Sequence, residues 1–136
     1  TPSPALLPRD ALTRARVRSA VEIVNSGVQP LQNVRTLEAL RKLGGESAAQ
    51  TFTDDAISRG LAALEAHAAA HGGAFSVGDE LSLADVFLVP QLYNARRYQV
   101  DISRYSRLLA IEARAAALPA FQLAHPDVQP DAPKKT

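Results

Sequence analysis

Ser82-Leu83-Ala84-Asp85 introduces an almost wholly apolar run from Val86 to Leu92, and that run ends in Tyr93-Asn94-Ala95-Arg96-Arg97-Tyr98. The first four residues carry the pattern of a capped helix start, in which Ser82 accepts from the Asp85 N–H and the Asp85 carboxylate reaches back to the Ser82 N–H. Leu81 and Val86 occupy the two positions that staple such a start with an apolar contact. A helix that is apolar all round has to lie at the centre of its fold. Its polar, cationic tip is then carried on a rigid support, an arrangement suited to gripping an anion in a cleft. Capping accounts for Asp85 fully, so Asp85 is not taken as an acid or base.

The chain has 136 residues, enough for one domain that buries about two thirds of the surface its unfolded form exposes. Hydrophobic residues make up 46% and aromatic residues 5%, with Ala, Leu and Arg dominant, so the expected fold class is all-α. A net charge of +1 gives no field for gathering nucleic acid or anionic lipid, and neither is expected as a partner. Arg14, Arg16 and Arg18 read as a solvated helix face. With no cysteine, the chain offers no disulfide, thiolate metal ligand or thiol nucleophile. No stretch approaches the ~18 unbroken apolar residues of a membrane helix, and no signal-peptide layout opens the chain. A soluble cytoplasmic protein is expected. Thr1-Pro2-Ser3-Pro4 favours extended backbone, so residues 1–9 read as an interdomain linker within a longer protein.

Asp10 is a plausible N-cap, and Val17, Val21, Val24, Val28, Leu31 and Val34 recur at helical spacing. One long helix is expected from about Ala11 to Leu43, bent near Gly27 and Pro30 and stopped by Gly44-Gly45. A second spans about Ser47 to Ala70, with Phe52, Ile57, Leu61, Leu64 and Ala68 inward and Gly60 permitting a close helix contact. Phe75 to Glu80 reads as an irregular connection with a turn at Gly78-Asp79. The capped central helix follows to about Arg97, kinked by Pro90. Leu108 to Leu118 suggests a further helix, and Pro119 begins a short last one through Phe121. The helical domain thus occupies 10–126, and 127–136 form a surface or disordered tail. His67 and His71 stand four apart, a spacing that can grip a metal, but no third ligand follows and no metal is expected.

Three blocks resemble the C-terminal helical domain of zeta-class glutathione transferases, which include maleylacetoacetate and maleylpyruvate isomerases. They are Val28-Gln29-Pro30-Leu31-Gln32-Asn33-Val34-Arg35, the segment from Val77 to Asp101 that contains Ser82-Leu83-Ala84-Asp85 and Asn94-Ala95-Arg96-Arg97-Tyr98, and Leu118 to Asp131 with its Leu-Pro-Ala-Phe, His-Pro and Gln-Pro-Asp pieces. The resemblance runs from Leu6 to about Pro133. Phe52 and Ala56 depart from it, standing where relatives commonly carry tryptophan. A larger departure is the absence of the thioredoxin-like N-terminal domain that holds glutathione and carries the serine and cysteine near its thiol. No catalytic residue is therefore expected within the chain, and the isolated piece should be inactive.

The resemblance implies glutathione-dependent cis-trans isomerisation of a maleyl-type diacid by a homodimer, with the substrate lodged between this half and the absent one. From spacing alone Arg97 reads as a cation set against the negative end of its helix, worth roughly 0.3–1 kcal/mol, and Arg96 fills that role equally well. The matching motif makes Arg97 the substrate contact, because a guanidinium gives a carboxylate two parallel charge-assisted bonds. Asn94 flanks it one turn earlier, and Arg96 should turn to water or an acidic neighbour. Arg35 resembles a second clamp, with a solvated helix arginine as the alternative. Gln29 and Asn33 share a helix face, and the position of Gln29 contacts glutathione of the other subunit in the family; ordinary hydrogen bonding at a helix bend is the alternative for both. A different class of function, a non-catalytic interaction module of the same fold, also fits a helical domain standing alone.

Overall fold

The structure, a computed structural model, describes residues 5–132, so the ends of the expected linker and tail lie outside it. Asp10 starts α1 (Ala11–Asn25) as expected: its Oδ2 accepts from the Thr13 N–H at 2.7 Å and from the Thr13 hydroxyl at 2.6 Å. Val17, Ala20, Val21 and Val24 form the buried stripe of this helix. Arg14 spends its guanidinium on the carbonyls of Pro8 and Arg9, at 3.1 and 2.7 Å.

The expected bent helix is instead two helices. Regular structure stops at Asn25, passes through a 3₁₀ segment at Gln29–Gln32, and resumes after Asn33 as α2 (Val34–His71). Pro30, with no N–H to donate and a ring that crowds the preceding turn, sits inside the 3₁₀ segment, and Val28 leaves the helical region at φ −121°, ψ −56°. The break drives Val28 into the core, where its Cγ2 would lie 2.0 Å from a Cβ on Gly60. Gly60 therefore does permit the expected close contact. The expected stop at Gly44-Gly45 is a single-residue interruption of α2, with Gly45 at φ 79°, a conformation that favours glycine. Arg41 bridges the interruption to Glu46 at 2.6 Å.

The next helix, α3 (Leu83–Arg97), starts at the Ser82–Asp85 capping box. Asp85, with no exposed surface, takes the Ser82 N–H and hydroxyl on Oδ2 at 2.8 and 3.0 Å and the Ser76 N–H on Oδ1 at 2.8 Å. One carboxylate thus caps α3 and pins the 72–80 connection, whose turn carries Gly78 at φ 69°. The linker is tied here as well, since Leu6 accepts the Leu83 N–H at 2.9 Å and Leu7 packs on the core. Glu65 of α2 caps α4 (Ser106–Ala116) by accepting from the N–H groups of Arg107 and Leu108 at 3.1 and 3.0 Å. Then α5 (Pro119–Ala124) runs one residue triplet past the expected end at Phe121. Residues 127–132 lie on the surface, where Gln129 donates to the carbonyls of Leu123 and His125.

Among the described residues the fold is all-α, with α3 between α1 and α4 and no regular strand. The core joins Val17, Val24, Ile57, Leu61, Leu88, Leu92, Leu108 and Ile111. One expectation fails: α3 is not buried all round. Ala84, Asp85, Leu88, Gln91, Leu92 and Ala95 face inward, whereas Pro90 is exposed and Tyr93 is 38% exposed. The apolar side chains of its outer flank, among them Val86, Val89 and Pro90, wall a groove between α3, α4 and α5 instead of packing into the core.

Two outcomes follow for stability. Asp85→Ala strands two buried N–H groups and should lower the free energy of unfolding by about 2–4 kcal/mol, read from the urea midpoint. His67 stacks edge-on against His71 at 4.8 Å, and burial, then His71 and Arg16, hold its pKa below the ordinary histidine value. The unfolded chain then takes up that proton more readily than the folded one, so stability present above about pH 6.5 is lost as pH falls. His67→Gln should flatten that loss in unfolding curves measured from pH 7.5 to 5.

Candidate functional site

The cationic end of α3 is closed by backbone rather than by a side chain. Gln99 donates its N–H to the Arg96 carbonyl at 2.9 Å and Val100 donates to Ala95 at 3.0 Å, the paired bonds of a Schellman stop. Such a stop needs a left-handed residue, and Gln99 takes it at φ 61° where glycine is usual. Val100 is half-buried and packs on the core. The last helical turn, with its two arginines, is therefore fixed in place.

Those arginines have opposite fates. Arg96 gives both terminal nitrogens to Glu112 of α4, at 2.6 and 2.5 Å, a bidentate bond that raises its pKa above the ordinary arginine value. Arg97 is exposed and makes no hydrogen bond or ion pair with any described residue. It follows Tyr93 by four residues and Pro90 by seven, which puts it on the uncovered flank of α3.

Arg97 does not line the hollow that lies nearest to it in register. The hollow nearest in register is an apolar groove of about 550 Å³ between α3, α4 and α5, walled by Val86, Val89, Pro90, Tyr93, Leu109 and Phe121. Arg96 and Glu112 form part of its wall, but Arg97 lies beyond its lining. Tyr93 closes one side, with its ring edge-on to His125 at 5.7 Å and its hydroxyl 3.3 Å from Asp127.

The remaining predicted residues form a second group around the α1–α2 break. Asn33 is the N-cap of α2, its Oδ1 taking the Arg35 N–H at 3.3 Å, so the hydrogen-bonding role at a bend is the one it performs here. Arg35 is exposed, with no ion pair to a described residue. Gln29 is exposed on the 3₁₀ segment, and its Nε2 donates to Gln91 Oε1 of α3 at 2.8 Å. Asn94 is half-buried one turn before Arg97. Sequence reasoning passed over Gln91, the one side chain that ties the two groups together. Its signal was a lone amide inside an apolar run, one turn ahead of Asn94. Among the described residues no cluster of three or more His, Asp or Glu side chains is placed to hold a metal.

The family model for the glutathione S-transferase C-terminal domain matches residues 32–115, more than half of the chain. The chain belongs to that family. Maleylpyruvate isomerase of a Ralstonia species is 45% identical to it over 134 residues, covering 96% of this chain and 63% of that protein. The solved maleylacetoacetate isomerase of Anaeromyxobacter dehalogenans 2CP-1 superposes with a TM-score of 0.92 at 51% identity, covering 97% of this chain and 60% of that one, and it holds dicarboxyethyl glutathione and citrate in its active site. A maleylpyruvate isomerase described as a bacterial zeta-class glutathione S-transferase superposes with a TM-score of 0.92 at 44% identity, covering 97% and 64% of the two chains. This glutathione S-transferase domain is thus of the zeta class and spans 60–64% of these three relatives. No helix among its described residues is long and apolar enough to cross a membrane.

Gln99→Gly should relieve the left-handed strain at the helix stop and raise the unfolding free energy by up to about 1 kcal/mol, measured by thermal or urea unfolding.

Proposed function

We propose that this domain is the substrate-binding half of a glutathione-dependent cis-trans isomerase acting on a maleyl-type diacid, maleylacetoacetate or maleylpyruvate. The observation that carries the reading is Arg97: a cation with no partner among the described residues on a fixed helix end, beside an arginine paired with Glu112. A solvated ornament would not need the strained stop that holds it. The relatives extend beyond the part that this chain matches, and we assign their additional thioredoxin-like half to the uncovered α3 flank. Seated over the apolar groove, it would leave Arg97 at the edge of the seam between the halves, where a small diacid enters.

The chemistry that glutathione supplies when bound is a thiolate that adds to the activated double bond, leaves a single bond free to turn, and departs once the geometry has changed. While that bond turns, negative charge gathers on the carbonyl and carboxylate oxygens of the substrate. Arg97 faces that charge with its guanidinium, and Asn94 offers an amide one turn away. Arg35 is assigned to the far carboxylate. The residues that this chain offers to glutathione fit a polar peptide: Gln29 is exposed with one end of its amide already anchored, and Asn33 has its carbonyl committed to the cap while its amide nitrogen makes no hydrogen bond with a described residue. In a homodimer Gln29 would meet the glutathione of the other subunit. Dicarboxyethyl glutathione, held by the Anaeromyxobacter relative, is what results when the thiol adds across a four-carbon diacid, which supports this substrate class. The same thiol chemistry accommodates transferase activity on other electrophiles. A cytoplasmic setting follows from the need for reduced glutathione.

In the protein expressed from its complete reading frame, Arg97→Ala should lower kcat/KM for maleylpyruvate by roughly 10- to 100-fold, the loss of a charge-assisted contact strengthened in the transition state. Arg96→Ala should change it by less than about threefold, because that guanidinium is committed to Glu112. Equal small effects from the two substitutions would overturn the assignment.

A further inference from the structure

Besides the capping Asp85, the inward stripe of α3 contains one polar residue, Gln91, with no exposed surface. Its Oε1 accepts from Gln29 Nε2 at 2.8 Å and from Gln32 Nε2 at 2.9 Å, so the 3₁₀ segment is stitched to α3 through a single oxygen. The network is incomplete. Gln91 Nε2 and Gln32 Oε1 are both buried with no hydrogen-bond partner. A methionine of similar length would remove the Gln91 orphan but would strand the buried Gln32 Nε2, whose acceptor is Gln91 Oε1, so the glutamine holds the 3₁₀ segment in place while leaving its own amide nitrogen unpaired.

We propose that Gln91 is a positioning residue that holds Gln29 with its carbonyl turned outward, so that Gln29 meets a hydrogen-bond donor on the ligand. Both Gln29 and Gln32 approach Gln91 through their nitrogens, which commits the Gln29 amide nitrogen inward and leaves its oxygen as the free end. An outward carbonyl suits an ammonium or an amide N–H and disfavours a carboxylate. On the reading above, where Gln29 contacts glutathione, the group it selects is the ammonium or a peptide N–H of the tripeptide and not either of its carboxylates. Gln91 stands one turn before Asn94 on the helix that also ends in Arg97. It therefore ties the residue offered to the other subunit's glutathione to the helix that presents Arg97.

The test uses the protein from its complete reading frame, with glutathione and maleylpyruvate as probes. Gln91→Met should raise the KM for glutathione by roughly fivefold to tenfold, with a smaller change in kcat, while the urea midpoint falls, because Gln32 Nε2 is left buried without an acceptor. Gln91→Glu keeps two acceptor oxygens facing Gln29 and Gln32 and should keep the KM within about twofold. Gln29→Ala should raise the KM as much as Gln91→Met, and the double substitution should add little more, because both remove the same contact. A KM left unchanged by Gln91→Met would overturn the proposal, as would a loss in Gln91→Glu equal to that in Gln91→Met. If the unaltered protein turns over maleylpyruvate while Gln91→Met leaves the KM unmoved, only this inference fails. An unaltered protein with no glutathione-dependent turnover would sink both readings.

Discussion

Everything on the working side of this domain depends on the rotational setting of α3, and a buried carboxylate establishes it. Asp85 has no contact with water and accepts three hydrogen bonds, two from Ser82 and one from Ser76. Because these partners come from the helix start and from the connection before it, the first turn cannot rotate without breaking a buried charge-assisted bond. Twelve residues later the same rotation decides that Arg96 meets Glu112 and that Arg97 does not. Glu112 is itself placed by α4, whose start is held by Glu65 of α2. Two carboxylates remote from the arginines thus determine which arginine is available.

The fold also divides the surface of α3 by what can satisfy it. One side is filled by aliphatic side chains of α1, α2 and α4. The opposite flank keeps Pro90 and Tyr93 in the open and borders an apolar groove. A proline in mid-helix removes one backbone bond and would burden a helix packed on every side; here it faces outward, and α3 runs through it without interruption. The outward proline and Arg97, which has no partner among the described residues, share the flank of α3 that the core leaves uncovered.

Much of the architecture was legible in local patterns. Asp10, the Ser82–Asp85 box, Pro119 and the turn at Gly78 each act within a few residues, and each is found where spacing placed it. The break between α1 and α2 was read as a bend, because periodicity alone does not show that Val28 must leave the helix to reach Gly60 across the core. The incomplete burial of α3 was hidden for a related reason: an apolar run does not reveal which of its faces lines a groove instead of the core. Gln99 was invisible because a left-handed stop is normally announced by glycine. At the candidate site, motif likeness pointed to Arg97 and Gln29. Arg97 lies beyond the lining of the groove between α3, α4 and α5, and Gln91 escaped notice because its partners lie about sixty residues away.

Gly45 gives the first stretch of α2 an unusual standing. Between Leu37 and Ala49 no residue of that helix is buried, and Leu43 is 87% exposed. The stretch that begins with Asn33 and Arg35 is therefore moored at its base, by Leu37 and Gln32, and jointed at its far end by a glycine. Few buried contacts oppose its displacement, so a partner or substrate arriving there could re-aim this arm while the rest of the bundle kept its packing.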